Sequence, residues 1–292
     1  MQYHTPDSFE DAVAIANAAT GTTRFLAGGT DVLVQLRADI VTPDDLIDIK
    51  HIAGTHDITH NADGSWTIGV AVTGAEMSEH PTLKNDWPGL VEAMDLVGST
   101  QIQGRATLVG NLCNGSPAAD SVPAMIAINA SIDITNATDT GTATRQVAAA
   151  DIHTGPGKTS LTKGDVISAV NIPAVQPNSG DAYLRFIPRT EMDIAVVGVA
   201  VNLTLEGDTI TAAKVVLGAV APSYVTVTDA ANALIGSTLD EAALDALATA
   251  ASAACNPIDD KRGTIEFRTQ VSGVLAKRAA VIAYARAKGA NT

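Results

Sequence analysis

Residues 107–120 read TLVGNLCNGSPAAD, and residues 25–32 read FLAGGTDV. Each stretch follows an apolar or β-branched run and then brings together glycine, a small hydroxyl residue and one carboxylate. Glycine lets a backbone approach a ligand closely and adopt positive φ, and consecutive free N–H groups in such turns form a concave anion site. Two such loops on one chain suit a ligand with two phosphates and a long body, so they predict a dinucleotide site.

A longer run around the second loop carries a family resemblance. Residues 101–123, QIQGRATLVGNLCNGSPAADSVP, follow without a gap the pattern Gln-Ile-x-x-Arg-x-Thr-x-Gly-Gly-Asn-x-x-x-x-Ser-Pro-x-x-Asp. With the first loop, this run resembles the FAD-binding medium subunit of the molybdenum hydroxylases, the xanthine dehydrogenase and carbon monoxide dehydrogenase family. The resemblance extends to about residue 285. Ala106 and Val109 depart from it, because many members carry glycine there, and valine at positive φ would be costly.

The resemblance implies an α+β fold in three parts. A two-lobed FAD-binding domain of the vanillyl-alcohol oxidase or p-cresol methylhydroxylase type covers residues 1–55 and 56–176. A small C-terminal α+β domain, with a three-stranded sheet plus helices, covers residues 177–292. FAD is expected to lie between the lobes, with its pyrophosphate held by both loops.

The resemblance also implies partners. In the family, a large molybdopterin-binding subunit hydroxylates the substrate, and electrons pass through [2Fe–2S] clusters of a small iron–sulfur subunit to FAD. They leave to an electron acceptor that is NAD, a quinone or oxygen. We therefore expect a heterotrimer, doubled to a dimer of heterotrimers, and no catalytic acid or base in this chain.

The hydrophobic pattern indicates the same α+β order. Residues 23–27 and 45–49 are predicted strands of a βαβ-like unit, and a boundary is predicted near residues 176–180. The predicted elements beyond it are strands at 182–188, 195–205 and 209–217 and helices at 240–254 and 266–287. In the last helix, the apolar face is predicted from helical spacing to hold Phe267, Val271, Val274, Leu275 and Ile282.

The composition excludes several classes of partner. Acidic residues outnumber basic ones by 32 to 18, for a net charge of −14, and such a surface repels nucleic acid and anionic lipid. No run is apolar enough for a membrane span and the start lacks signal-peptide features, so a cytoplasmic protein is expected. The two cysteines, Cys113 and Cys255, are too few for an iron–sulfur cluster, so any cluster must come from another chain.

In the family, the first loop wraps the pyrophosphate through backbone N–H groups. Thr30 can add a hydroxyl donor, whereas the carboxylate of Asp31 would repel a phosphate at close range. We expect Asp31 to fix the loop backbone or to accept a hydrogen bond from a ribose hydroxyl. The predicted contacts are Leu26, Ala27, Gly28, Gly29, Thr30, Asp31 and Val32.

The second loop supplies the other half of the predicted site. Asp120 has two interpretations of similar weight: an acceptor for the adenosine ribose hydroxyls, or the N-cap of a helix near Val122. The predicted cofactor contacts are Thr107, Gly110, Asn111, Asn114, Ser116 and Asp120.

Leu161 and Arg185 are the remaining cofactor candidates. Leu161 aligns with a family residue that packs near the flavin ring, but an ordinary core leucine is the alternative. Arg185 falls where some members place a lysine near the isoalloxazine, where a cation stabilises reduced flavin; a surface arginine on an edge strand is the alternative. Ile194 stands where carbon monoxide dehydrogenase relatives have an aromatic residue.

Three other functions stay open at this stage. A stand-alone FAD oxidase would need a base near the flavin, and none is evident. A Rossmann dehydrogenase would need Gly-x-Gly-x-x-Gly after the first strand, which Gly28-Gly29-Thr30 does not supply. A cofactor-free assembly subunit is supported only by the missing glycines. The thiol of Cys113 is interpreted as a small buried filler.

Overall fold

The computed structural model describes residues 1–290. The first part is a parallel three-stranded sheet with strand order β1-β3-β2. Its three-residue first strand was not predicted, because so short a segment shows no periodicity. The elements are β1 (Gln2–His4), α1 (Phe9–Ala18), β2 (Thr23–Leu26), α2 (Val32–Arg37) and β3 (Asp45–Asp48).

The second part is an antiparallel five-stranded sheet with strand order β4-β5-β10-β6-β7. Six short helices connect its second and third strands in the sequence, and β8 and β9 form a separate ribbon. The elements are β4 (Ile58–His60), β5 (Trp66–Gly69), α3 (Gly74–Glu79), α4 (Leu83–Asp86), α5 (Pro88–Asp95), α6 (Thr100–Gln103), α7 (Leu108–Cys113), α8 (Ser121–Ala127), β6 (Ser131–Thr138), β7 (Gly141–Ala148), β8 (His153–Gly155), β9 (Lys158–Thr159) and β10 (Val166–Ile172).

The third part is an antiparallel sheet with strand order β11-β12-β13-β14, covered by helices. Three strands were predicted here, and the structure adds the two-residue edge strand β14. The elements are β11 (Ser179–Phe186), β12 (Val197–Glu206), β13 (Thr209–Gly218), β14 (Val225–Thr226), α9 (Thr228–Leu234), α10 (Glu241–Ala253) and α11 (Ile265–Ala287). No helix within residues 1–290 is long and apolar enough to cross a bilayer.

Two hydrophobic cores hold these parts. One core runs from the first sheet into the second and joins Ala12 and Ile47 to Trp66 and Leu112. The other lies between the third sheet and α9, α10 and α11. Because the first two sheets share a core, the loops that leave them are held at fixed positions relative to each other.

The prediction for α11 is wrong in part, because alanines rather than large side chains make its buried face. Phe267 and Val274 are 38% and 43% exposed, whereas Ala279 and Ala283 are fully buried. The helix packs closely on β11: a Cβ on Gly180 would lie 2.3 Å from the carbonyl oxygen of Ala283. Small residues permit this approach, which a face of large aliphatic residues would prevent.

The third sheet is joined to the second part through a buried carboxylate. Asp181 Oδ2 accepts a hydrogen bond from the Leu90 backbone N–H at 3.1 Å, and burial raises the pKa of Asp181 to about 7. Beside it, Arg286 Nη1 donates to the Asp181 carbonyl oxygen at 2.9 Å and to Glu92 Oε2 at 3.0 Å. These contacts link α5, β11 and α11.

Another ion pair orders the turn before β10. Arg145 on β7 donates to Asp165 at 2.8 and 2.7 Å, and the Thr162 N–H donates to Asp165 Oδ2 at 2.7 Å. Burial alone would raise the pKa of Asp165, but the hydrogen bonds from Arg145, Thr162 and Asn136 outweigh it and lower that pKa to about 2. The ionised carboxylate therefore stabilises the fold.

We predict that Asp165→Asn lowers the free energy of unfolding by about 2 kcal/mol at pH 7. Because the folded pKa is depressed, this contribution is present above the unfolded pKa and is lost as the pH falls toward 2. Urea unfolding at pH 7, 5 and 3 measures the difference between wild type and variant, which should shrink at the lowest pH. Asp139→Asn, at an exposed turn position, is the control; equal stability of both variants would contradict the prediction.

Candidate dinucleotide site

A cavity of about 680 Å³ lies between the first sheet and the second part of the fold. Most of its walls come from three segments, within residues 23–32, 107–114 and 157–167, and Ile40 and Val41 add to them. Its volume is in the range of small-molecule and cofactor sites, roughly 300–1,000 Å³. Both glycine-marked loops contribute to it, although they are separated in sequence.

The first loop presents unpaired backbone donors to this cavity. It connects the end of β2 to the start of α2, and Gly29 takes positive φ, +80°. In the described part of the chain, the N–H groups of residues 28–32 donate to no protein acceptor. We call these five groups the amide row. These residues are half-buried or exposed, so the row is free to donate to acceptors of a ligand or to water.

Glycine is required in this loop because the two loops touch. A Cβ on Gly28 would lie 1.8 Å from the carbonyl oxygen of Arg105, which belongs to the segment leading into the second loop. A Cβ on Gly29 would lie 2.9 Å from Leu26 Cδ1. At Gly28 the backbones of the two segments therefore pack directly against each other, whereas at Gly29 the positive φ is what favours glycine.

The second loop contains a short helix, α7, that the sequence did not predict. Thr107 caps it by accepting a hydrogen bond from the Gly110 N–H at 2.9 Å. Within residues 101–123, the residue with positive φ is Gly115, at 68°. Val109 lies in the helix and Ala106 has no positive φ, so the departures from the family pattern cause no backbone strain.

A side-chain bridge connects the two loops across the cavity wall. Asn114 Nδ2 donates to Asp31 Oδ1 at 3.2 Å, and Gln35 Nε2 donates to Asn114 Oδ1 at 3.1 Å. Burial raises the pKa of Asp31. Asp31 thus fixes the first loop to the second, which is one of the two roles expected for it; Gln35 was not anticipated.

The predicted site residues divide into two groups. Several of them lie outside the cavity lining: Leu26, Asn111, Ser116, Asp120 and Arg185. The others line it: Ala27, Gly28, Gly29, Thr30, Asp31, Val32, Thr107, Gly110, Asn114 and Leu161.

Two of the residues outside the lining shape the second loop. Asn111 Oδ1 accepts hydrogen bonds from the Ser121 hydroxyl at 2.7 Å and the Ser121 N–H at 3.3 Å. Ser116 Oγ accepts from the Ala118 N–H at 3.2 Å. Both side chains therefore hold the chain between α7 and α8 in its turn.

Asp120 and Arg185 form a buried ion pair. Arg185 Nη1 lies 2.7 Å from Asp120 Oδ2, and the Tyr183 hydroxyl donates to Asp120 Oδ1 at 2.8 Å. Burial raises the pKa of Asp120 to about 6 against the opposing effect of Arg185. The two alternatives based on local structure hold only in part. Asp120 does occupy the N-cap position of α8, but its side chain makes no capping hydrogen bond there. Arg185 does lie on the edge strand β11, but its side chain is only 4% exposed.

Two further residues, Cys113 and Lys163, line the cavity although the sequence did not predict it. Cys113 is exposed on the cavity wall, so its interpretation as a buried filler is wrong. Lys163, which carried no motif signal, lies in the lining and donates to the Ala19 carbonyl oxygen at 2.7 Å. Its only sequence signal was its place in the Lys163-Gly164 turn, two residues after Leu161.

Comparisons with known proteins agree with this geometry. Residues 1–175 match the family described as FAD binding domain in molybdopterin dehydrogenase, and residues 182–282 match the CO dehydrogenase flavoprotein C-terminal domain. The chain is 31% identical to the carbon monoxide dehydrogenase medium chain of Afipia carboxidovorans, over 99% of this chain and 98% of that one. It is 30% identical to a putative xanthine dehydrogenase FAD-binding subunit of Escherichia coli, over 98% and 97%.

Solved structures give the same result. A carbon monoxide dehydrogenase from Hydrogenophaga pseudoflava that lacks the Mo-pyranopterin moiety superposes with a TM-score of 0.91 at 30% identity, over 98% of each chain. Quinoline 2-oxidoreductase from Pseudomonas putida superposes with a TM-score of 0.89 at 25% identity, again over 98% of each chain. The similarity therefore covers the FAD-binding and C-terminal parts together.

The fold and cavity define an α+β protein with a dinucleotide site. The chain belongs to the family of FAD-binding medium subunits of molybdenum hydroxylases, which includes those of carbon monoxide dehydrogenase and xanthine dehydrogenase. It is an oxidoreductase subunit, and FAD is its cofactor. The resemblance carried by residues 101–123 is confirmed, as is the α+β fold with an FAD-binding domain followed by a C-terminal domain.

We predict that Gly28→Ala weakens FAD binding about tenfold or more, because its Cβ would force apart the backbones that form the cavity; overpacking of this kind costs about 1–3 kcal/mol. Flavin fluorescence titration measures the affinity. Gly104→Ala is the matched control, since its Cβ would meet nothing closer than 3.9 Å. Wild-type affinity in Gly28→Ala would show that the contact with Arg105 does not shape the site.

Proposed function

We propose that the cavity holds FAD with its pyrophosphate on the amide row, and that the chain is the electron-transfer subunit of a molybdenum hydroxylase. The observation that carries the proposal is the amide row, whose five residues line the cavity and whose N–H groups have no acceptor within the described residues. Successive N–H groups of this kind bind anions through their partial positive charge. A pyrophosphate supplies several acceptor oxygens within the length of one such loop.

Charge near the cavity favours this placement despite the net charge of −14. Distant surface carboxylates are screened beyond about 8 Å at physiological ionic strength. Arg24 and Lys163 line the cavity, so two cations lie close to the ligand. Two carboxylates also line the cavity: Asp31 receives a hydrogen bond from Asn114, and Asp165 is paired with Arg145. The charge at the cavity is therefore far less negative than the net charge of the chain.

The remaining residues have distinct roles in the proposal. Thr30 offers a hydroxyl beside the amide row, and Leu161 offers an apolar surface to a ring of the cofactor. Four of the predicted residues outside the lining act indirectly, by holding the second loop and its contact with β11. These are Asn111, Ser116, Asp120 and Arg185. The fifth, Leu26, lies at the end of β2 beside Gly29.

The wider assembly is proposed from the family and from the cysteine content. Bound FAD supplies the change between one-electron and two-electron transfer. With two cysteines, this chain cannot hold [2Fe–2S] clusters, so we propose that a small iron–sulfur subunit delivers electrons and a large molybdopterin-binding subunit oxidises the substrate. NAD, a quinone or oxygen accepts the electrons. The proposed domains are residues 1–55, 56–176 and 177–292, in a cytoplasmic heterotrimer that is doubled.

Two parallel purifications test this proposal. The chain is tagged and isolated twice, once from its native host and once produced alone, and FAD, iron and molybdenum are measured in both. Produced alone, it should carry about one FAD and no metal; from the host, it should co-purify with a small and a very large chain, iron and molybdenum.

The outcomes separate the two halves of the proposal. A colourless chain that takes up no added FAD in either preparation contradicts the cofactor site. An FAD-loaded chain that leaves the host without iron, molybdenum or other chains contradicts the proposed assembly and favours a stand-alone flavoprotein.

A further inference from the structure

The carbonyl oxygen of Gly115, just after α7, is held by two donors from the β8–β9 ribbon. The Gly157 N–H donates to it at 2.8 Å, and His153 Nε2 lies 2.9 Å from it. Gly115 itself takes positive φ, and a Cβ there would lie 2.9 Å from the Lys158 nitrogen. The second loop is thus pinned to the ribbon at this point.

The second ring nitrogen of His153 contacts the C-terminal part of the chain. His153 is 5% exposed, and its Nδ1 lies 3.0 Å from Ser223 Oγ. A carbonyl oxygen only accepts, so Nε2 must carry a proton to bond Gly115. In the neutral ring, Nδ1 then accepts from the Ser223 hydroxyl. The Gly115 carbonyl therefore specifies the tautomer, and the Ser223 hydroxyl is able to donate to the nitrogen that remains.

The residue next to Ser223 adds another contact to the same loop. The Tyr224 hydroxyl donates to the Ser116 carbonyl oxygen at 2.5 Å. Its ring meets the His153 ring edge to face, with centroids 4.9 Å apart and an interplanar angle of 65°. Two consecutive carbonyl oxygens of the second loop therefore accept hydrogen bonds. The ribbon donates to that of Gly115, and Tyr224, in the segment after β13, donates to that of Ser116.

We propose that His153 is a positioning residue for the cofactor site. It does not line the cavity; its Nε2–H fixes Gly115, and this holds Asn114 where it can bridge to Asp31 on the first loop. The inference rests on the proposed function, because the loop so positioned is the one assigned to FAD. Because Ser223 contacts His153, the C-terminal part of the chain also helps to order the second loop.

Substitutions separate a specific donor from a side chain that only fills space. In His153→Gln, the amide nitrogen reaches the position of Nε2 and can still donate to Gly115. In His153→Asn, the shorter amide reaches only the position of Nδ1, near Ser223. His153→Phe keeps the ring volume and removes both polar atoms.

The test measures FAD affinity by fluorescence titration for wild type and the three variants. Loss of a buried hydrogen bond should weaken binding about tenfold in His153→Asn and His153→Phe, whereas His153→Gln should stay within about threefold of wild type. Hydrogen–deuterium exchange of the FAD-free proteins is measured in parallel. Peptides covering residues 107–116 should exchange faster in the Asn and Phe variants and at the wild-type rate in the Gln variant.

Each outcome decides a different point. Equal affinity and equal exchange in all four proteins, or a Phe variant that matches wild type, would overturn the positioning role. If the wild-type chain binds no FAD while the exchange pattern appears as expected, the proposed function fails and His153 still positions the loop. If exchange follows the expected order but affinity does not change, His153 stabilises the loop without positioning the cofactor, which also overturns the proposal.

Discussion

The direct contact between the backbones at Gly28 and Arg105 is the constraint on which the cofactor site depends. It brings a loop from the parallel sheet against the segment leading into α7, and Gly28 has no space for even one Cβ. The shared hydrophobic core holds the two sheets against each other. The hydrogen bond between Asp31 and Asn114 adds a second contact between the two loops.

The amide row explains how a strongly acidic chain can hold a dianionic pyrophosphate. The donors are neutral backbone groups whose partial charges are fixed in direction, so they need no counter-charge and little reorganisation. The cations of Arg24 and Lys163 add to them from the cavity wall. The carboxylates of Asp120 and Asp165 are paired with Arg185 and Arg145, which keeps much of the nearby negative charge compensated.

The sequence was informative where local chemistry determines structure. The order of strands and helices and the two glycine-marked loops follow from turn residues and periodicity, and the long gapless motif identified the family. The sequence was uninformative where a contact forms between residues that are distant in the chain. The buried face of α11 depends on close packing against Gly180, and the Asp120–Arg185 pair joins segments 65 residues apart. Neither has a local signal.

His153 illustrates the same limit within the site. An isolated histidine between a turn and a glycine carries no motif, and its role depends on Gly115 and Ser223, which lie 38 and 70 residues away. Val109 shows the opposite error. Its mismatch with the family pattern suggested strain, but the cap provided by Thr107 turns this position into ordinary helix, where valine is permitted.

The central claim is that the amide row of residues 28–32 holds the pyrophosphate. Hydrogen–deuterium exchange of the purified chain, with and without saturating FAD, measures it most directly, because these N–H groups have no protein acceptor in the described chain. The account predicts fast exchange in peptides covering residues 28–32 without FAD and strong protection with it, and ADP, which carries the pyrophosphate without the flavin, should protect the same peptides. Protection confined to other segments, with this loop unchanged, would contradict the account.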